Sequence, residues 1–283
     1  MQQPPRPRTP VPPGPPEAPP GPPEPAGKPS GRLHTWQLVG VIAAGLLVLA
    51  AGLYVANRKP STTKPATEAQ ATAVHTVSGA LNGRQEAQLE VLAGAESVTI
   101  HSQDLGDLLF RASTLPGSKV EPTVSDDGAS VKLGLSNTSV AGQATVHIYL
   151  NDKVRWQLKL AGGGLEQSVD FGSGRLAGIE MAAGTGRVDL ALPKPEGTIP
   201  IKLPAGAGNL AIHLPAGVPG QLTFGAGSGA GTVTVDGKSE QGVQPGKVIT
   251  PDGWAQAKDR YDFQVGGGFA AVTVDHLGAR GGA

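Results

Sequence analysis

The stretch from Ile201 to Leu214, IKLPAGAGNLAIHL, decides how the large C-terminal part of the chain is read. Ile201 and Leu203 stand two apart, a small corner runs through Ala205, Gly206, Ala207 and Gly208, and Leu210, Ile212 and Leu214 resume the spacing. A period of two puts these side chains on one face of a β-strand, where a helix would repeat every 3.6 residues. Glycine at the corner is expected to permit a tight bend and a positive φ.

The pattern recurs in LEVLAGAESVTI (Leu89–Ile100), IEMAAGTGRVDLAL (Ile179–Leu192), LTFGAGSGAGTVTV (Leu222–Val235) and FQVGGGFAAVTV (Phe263–Val274). Gly184 to Gly206 is a step of 22 residues, and Gly206 to Gly227 and Gly229 is 21 to 23. A near-constant period of that size predicts stacked β layers, each covering the next one's apolar face. Residues 161–277 are thus expected to form a repetitive, glycine-cornered β-solenoid-like or two-sheet stack. No segment after residue 60 has the period of a long amphipathic helix.

Residues 77–160 alternate as well, in SVKLGLS (Ser130–Ser136), ATVHIYL (Ala144–Leu150) and VRWQLKL (Val154–Leu160). Asn151 and Asp152 read as a hairpin turn between the last two. This part is either a β-rich N-terminal portion leading into the repeats or the first layers of one continuous domain. Forty-two glycines and few aromatic residues predict thin, closely packed layers rather than a core centred on bulky rings.

Ahead of the β region, WQLVGVIAAGLLVLAAGLYVA (Trp36–Ala56) carries no charge. As a helix it would span roughly 31 Å, the thickness of a bilayer core. Residues 33–57 therefore read as a transmembrane helix meeting the lipid bilayer through residues 36–56, with Trp36 and Tyr54 near the headgroups. Its apolar core is too long for a cleaved signal peptide. Gly40 with Ala44, and Gly52 with Ala56, form small-xxx-small pairs that permit close helix approach. Residues 1–32 hold fourteen prolines and read as a disordered, proline-rich tail of polyproline II character. Residues 58–76 read as a flexible stalk and 278–283 as a glycine-rich tail.

The 283 residues carry no net charge overall, but the N-terminal 35 are net +2 and the chain from Pro60 onward has 17 basic against 21 acidic side chains. A nucleic-acid partner is excluded for such a domain, because neutralising phosphates needs a basic face. The absence of cysteine removes disulfides, thiolate metal sites, a cysteine nucleophile and a lipoprotein anchor together.

The succession VRWQLKLAGG, SVDFGSGRLAGIEMAAGTGRVDLALP and IPIKLPAGAGNLAIHLP resembles the toast-rack β-domains of bacterial membrane proteins. These include LiaF-type envelope-stress proteins and the related family labelled "putative adhesin". The likeness covers roughly residues 77–275 and rests on the W-x-L-x-L strand and the recurring glycine corners. LiaF-type proteins place several membrane helices before the domain, whereas this chain has one candidate span. The resemblance implies an all-β ectodomain outside a bacterial cell membrane, with the tail cytoplasmic. The flanking charges alone do not give that orientation: Lys28 and Arg32 precede the span, but Arg58, Lys59 and Lys64 follow it.

No constellation for catalysis, cofactor binding or metal binding is read. His34, His75, His101, His147, His213 and His276 share no metal-ligand spacing, and those within strand patterns are expected to face outward. Asp170, Asp189, Asp236 and Asp275 each follow a valine and would line an acidic strip if stacked in register, with solvated strand faces the simpler account. Gly172-Ser173-Gly174 and Gly225 to Gly229 lack the strand–turn–helix context of a nucleophile elbow or phosphate loop and read as corners. Asp126-Asp127-Gly128 reads as a turn, and Asn137-Thr138-Ser139 is a formal glycosylation sequon. The expectation is a non-enzymatic single-pass protein presenting its β-domain for protein interaction in envelope-stress signalling, with a membrane sensor or transporter as partner. The alternative is a structural or adhesive surface protein that self-associates or binds cell-wall polymer.

Overall fold

A computed structural model describes residues 74–277. The expected tail, membrane span, nearly all of the stalk and the C-terminal 278–283 lie outside the described residues. Among the described residues no helix is long and apolar enough to cross a membrane.

Nineteen strands follow one another among these residues. They begin with β1 (Thr76–Ala80), β2 (Glu86–Val91), β3 (Ala95–Gln103), β4 (Leu108–Thr114), β5 (Val120–Asp126) and β6 (Ser130–Asn137). Next come β7 (Thr145–Asn151), β8 (Arg155–Leu160), β9 (Gly164–Asp170), β10 (Arg175–Met181), β11 (Thr185–Ala191) and β12 (Thr198–Leu203). The last are β13 (Ala207–Pro215), β14 (Gly220–Phe224), β15 (Gly229–Val235), β16 (Lys238–Val243), β17 (Val248–Ile249), β18 (Arg260–Val265) and β19 (Gly268–Leu277).

They form a ten-stranded sheet in the order β1-β4-β7-β3-β9-β11-β13-β19-β15-β16 and a nine-stranded sheet in the order β17-β14-β18-β12-β10-β8-β2-β6-β5. Each recurring run found in the sequence is one rung. The chain passes along the nine-stranded sheet, turns at the small corner, and returns along the ten-stranded one. Seven such rungs stack among the described residues, with parallel pairing inside both sheets. Antiparallel strands close the sheets: β1 and β4 at one end, β16 and β17 at the other, and β5 beside β6. Both sheets run without a break across Leu160.

The order of the rungs differs from their order in the chain. The rung β6–β7 lies outside β2–β3, and the last rung, β18–β19, is inserted between β12–β13 and β14–β15. The expected direct succession from the Gly206 corner to the Gly227 corner therefore does not occur. Parallel pairing uses only backbone groups, so any rung of matching length can be a neighbour.

The apolar face also lies elsewhere than expected: it fills the space between the sheets, while neighbouring rungs are joined by hydrogen bonds. Leu89, Leu158, Ile179, Ile201, Phe263 and Leu222 align in register across the nine-stranded sheet. Ile148, Ile100, Val169, Leu190, Ile212 and Val274 align across the other. All are buried, each contributing about 1.5–3 kcal/mol through loss of apolar surface to water. The core is not as poor in rings as the composition suggested. Trp156, Tyr261, Phe110, Phe171, Phe224 and Phe263 are its largest fully buried side chains. Tyr261 keeps its polar tip satisfied by donating from its hydroxyl to the Pro193 carbonyl at 2.7 Å.

Two corner expectations are corrected. Asn151 and Asp152 make no hairpin, because β7 and β8 belong to different sheets. Asn151 is instead a fully buried hinge: its amide donates to the Gly106 and Leu108 carbonyls, and its own carbonyl accepts the Trp156 indole at 3.0 Å. The glycine at Gly206 does not serve a positive φ, although Gly227 in the β14–β15 corner does take one; other positive-φ glycines lie in turns such as those at Gly128 and Gly197. It serves close approach between stacked corners, where Gly94 abuts Gly163 and Gly206 abuts Gly268 too tightly for a side chain. The Asp126-Asp127-Gly128 turn is present, with both aspartates accepting backbone N–H groups at the β5–β6 hairpin.

Candidate functional site

The outward side chains of the ten-stranded sheet gather most of the residues singled out from the sequence. One row runs in register through Arg111, Tyr149, His101, Asp170, Ala191, His213 and Asp275. The Arg111 guanidinium lies 4.9 Å from the Tyr149 ring centre, and Tyr149 stacks on His101 with centroids 5.7 Å apart. His101 Nδ1 is 3.8 Å from Asp170. His213 Nδ1 is 2.6 Å from Asp275, and its Nε2 is 3.5 Å from Asp189 in the adjoining row. His147 stands in that adjoining row too, opposite Thr99 and Ser113.

Asp170, Asp189 and Asp275 thus share a face without forming one acidic strip. Asp236 sits apart, in the β15–β16 turn, with its carboxylate 2.8 Å from His276 Nδ1. Each of the four faces a histidine, so imidazoles alternate with carboxylates where the sequence suggested acid beside acid. Among the described residues no group of three or more His, Asp or Glu is placed to hold a metal ion. The His213–Asp275 pair was not legible in the sequence, since it depends on insertion of the last rung beside β13.

His276 has acceptors at both nitrogens, the Asp236 carboxylate and the Val218 carbonyl at 3.0 Å. Burial works against its charge, but the bonds to Asp236 and Val218 outweigh it, and the imidazolium is held above the ordinary histidine range. The glycine-serine segments are corners. Ser173 donates to the Ser102 carbonyl, and Ser228 is buried and donates to the Gly225 carbonyl at 2.8 Å.

The nine-stranded sheet presents a different outward face. Lys132, Glu90, Lys159, Glu180 and Lys202 follow one another across five strands with alternating sign. Lys159 Nζ reaches Glu90 at 2.8 Å, and the hydrogen bond to Glu90 raises the lysine above its ordinary range. Exposed pairs of this kind contribute at most about 1 kcal/mol each, but like charges in the same positions would oppose the pairing of the strands. A depression of about 260 Å³ lies among Gln157, Lys159, Pro200 and Lys202.

No family model matches the chain, and no curated protein matches it. Among solved structures, the fold is that of a protein from Clostridium sporogenes ATCC 15579 described as "a putative cell adhesion protein". The two superpose with a TM-score of 0.53 at 16% identity, over 73% of this chain and 100% of the other. A "putative adhesin" from Bacteroides fragilis NCTC 9343 aligns over 74% of this chain at 8% identity, but its TM-score of 0.25 adds nothing to the argument. The likeness to the clostridial protein establishes the two-sheet fold and no activity.

Proposed function

We propose that this chain is a non-enzymatic surface protein, anchored by residues 33–57 in a bacterial membrane, whose β-domain binds through its broad outward faces. The observation that carries the reading is the pair of in-register outward faces. One is an alternating Lys/Glu ladder, the other a His/Asp/Tyr/Arg row, and each extends over several rungs. Side chains repeated at the strand spacing of about 4.8 Å suit a repetitive target such as cell-wall polymer, or a second copy of the same face. The shared fold with a protein described as a cell adhesion protein supports the same direction.

A second reading, envelope-stress signalling through a membrane sensor or transporter, is favoured by the uncharged run of residues 36–56 behind a proline-rich tail. In-cell crosslinking of the full chain separates the two. Capture of wall polymer or of the chain itself, unchanged when residues 1–57 are replaced by an unrelated anchor, supports the adhesive reading. A membrane kinase or transporter captured only with the native residues 1–57 overturns it in favour of signalling.

A further inference from the structure

The two sheets part at the end of the stack where β14 and β15 form the last rung, leaving a cleft of about 720 Å³. Its apolar lining comes from both sheets: Val233 and Val235 on β15, Ile249 on β17, and Val218 from the turn into β14. The edge strand β16 closes one side in an unusual way for a β-sandwich. Lys238 pairs with Val235 and Glu240 with Val233 across the β15–β16 ladder, so both charged side chains share the face of the inward-pointing valines. The loop after β17 brings Asp252 to the rim.

Inward charge on an edge strand discourages edge-to-edge pairing, and that role accounts for one such residue being there. It does not account for which charges are left over. Asp236 is matched by His276, and Glu240 is matched by Lys247 at 2.7 Å. Lys238 and Asp252 both line the cleft, and neither has an ion-pair partner among the described residues. The cleft therefore offers an aliphatic lining with one free cation and one free anion. Its volume falls in the range of pockets that enclose small molecules.

From this we infer that the cleft is a binding site for a short zwitterionic peptide with aliphatic side chains. The peptide's carboxylate meets Lys238, its ammonium meets Asp252, and its side chains lie on the half-buried Val235 and Ile249. An uncharged apolar ligand would gain nothing from either rim charge, and a singly charged one would gain from one of them alone. The site is separate from the two outward faces on which adhesion is proposed, so either assignment can fail while the other stands.

The test is isothermal titration of the full chain in detergent with the tripeptide alanyl-valyl-alanine, its N-acetylated form and its C-terminal amide. The expected result is saturable binding of the free tripeptide, weakened at least tenfold by Lys238→Gln and by Asp252→Asn. The N-acetylated form should be weakened equally on the unaltered protein and be indifferent to Asp252→Asn, and the amide should be indifferent to Lys238→Gln. Both substitutions are at exposed positions, and unchanged thermal melting will show that the fold is intact. Absence of saturable heat with the free tripeptide, or equal binding of the blocked forms, overturns the assignment. So does self-association abolished by the same two substitutions, which would seat a second copy in the cleft.

Discussion

A Cβ placed on Gly206 would stand 2.2 Å from the carbonyl oxygen of Gly268, although the two residues belong to rungs far apart in the chain. The corner of β12–β13 is pressed against the corner of β18–β19, and the glycines are required by proximity rather than by backbone conformation. Gly206→Val must therefore push two rungs apart. We expect a loss of about 3 kcal/mol, at the upper end of ordinary overpacking, read as a lower melting temperature of the full chain. Gly128→Ala is the contrast: there φ is +90° and open space surrounds the position, so the cost is about 1–2 kcal/mol of backbone strain alone. Equal effects at the two sites would refute the crowding argument.

The inserted rung makes the C-terminal strands indispensable to strands that precede them. Deleting residues 260–277 removes β18 and β19 and leaves β12 facing β14, and β13 facing β15, across a gap of about 10 Å. Hydrogen exchange should show β14 to β17 losing protection together while β8 to β11 keep theirs. Retained protection in β14 and β15 would mean that the stack had closed up in chain order.

Tyr261→Phe deletes only the hydroxyl that donates to Pro193, in a wholly buried position. The carbonyl is left unsatisfied at a cost of about 1–3 kcal/mol, measurable by denaturant titration. Burial also raises the phenol above its ordinary value. The unfolded chain then releases this proton first, so the contribution is whole below pH about 10 and is lost as pH climbs toward the folded value. The alkaline loss of stability should be shallower in Tyr261→Phe.

His276 gives a second pH dependence at lower pH. Its folded value is raised, so the stabilisation is fully present below the unfolded value near 6.5 and disappears as pH rises through the folded one. The groups facing it are Asp236, Asp275 and the Val218 carbonyl. His276→Gln should flatten the stability profile between neutral and mildly alkaline pH. A profile of unchanged slope would show that the imidazolium is not the titrating group.

Arg84 and Asp126 tie the loop after β1 to the β5–β6 hairpin through two parallel hydrogen bonds of 3.1 and 2.8 Å. The Arg84 guanidinium holds the Asp126 carboxyl below its ordinary range, so this contribution exists above pH about 4 and is lost on acidification. A double-mutant cycle with Arg84→Gln and Asp126→Asn should give a coupling of about 0.5–1 kcal/mol at pH 7 that shrinks as the pH falls through the lowered value of Asp126.

The sequence by itself determined the strands and their faces. Alternation in IKLPAGAGNLAIHL and its relatives is a local property, and burial of every second residue between two layers follows from it. The corners of the recurring runs were legible for the same reason, since small residues interrupt the alternation there, whereas the crossing between β7 and β8 at Asn151 and Asp152 carries no such mark. What Gly206 is for, which rung lies next to which, and the pairing of His213 with Asp275 were decided by the tertiary structure. The physical reason is common to all three. Rungs join through backbone hydrogen bonds that are the same for every strand, and their inward rows of Leu, Ile and Val are interchangeable, so local pattern carries no address for the neighbour. Insertion of the last rung is fixed only when the whole stack competes for the buried face between the sheets.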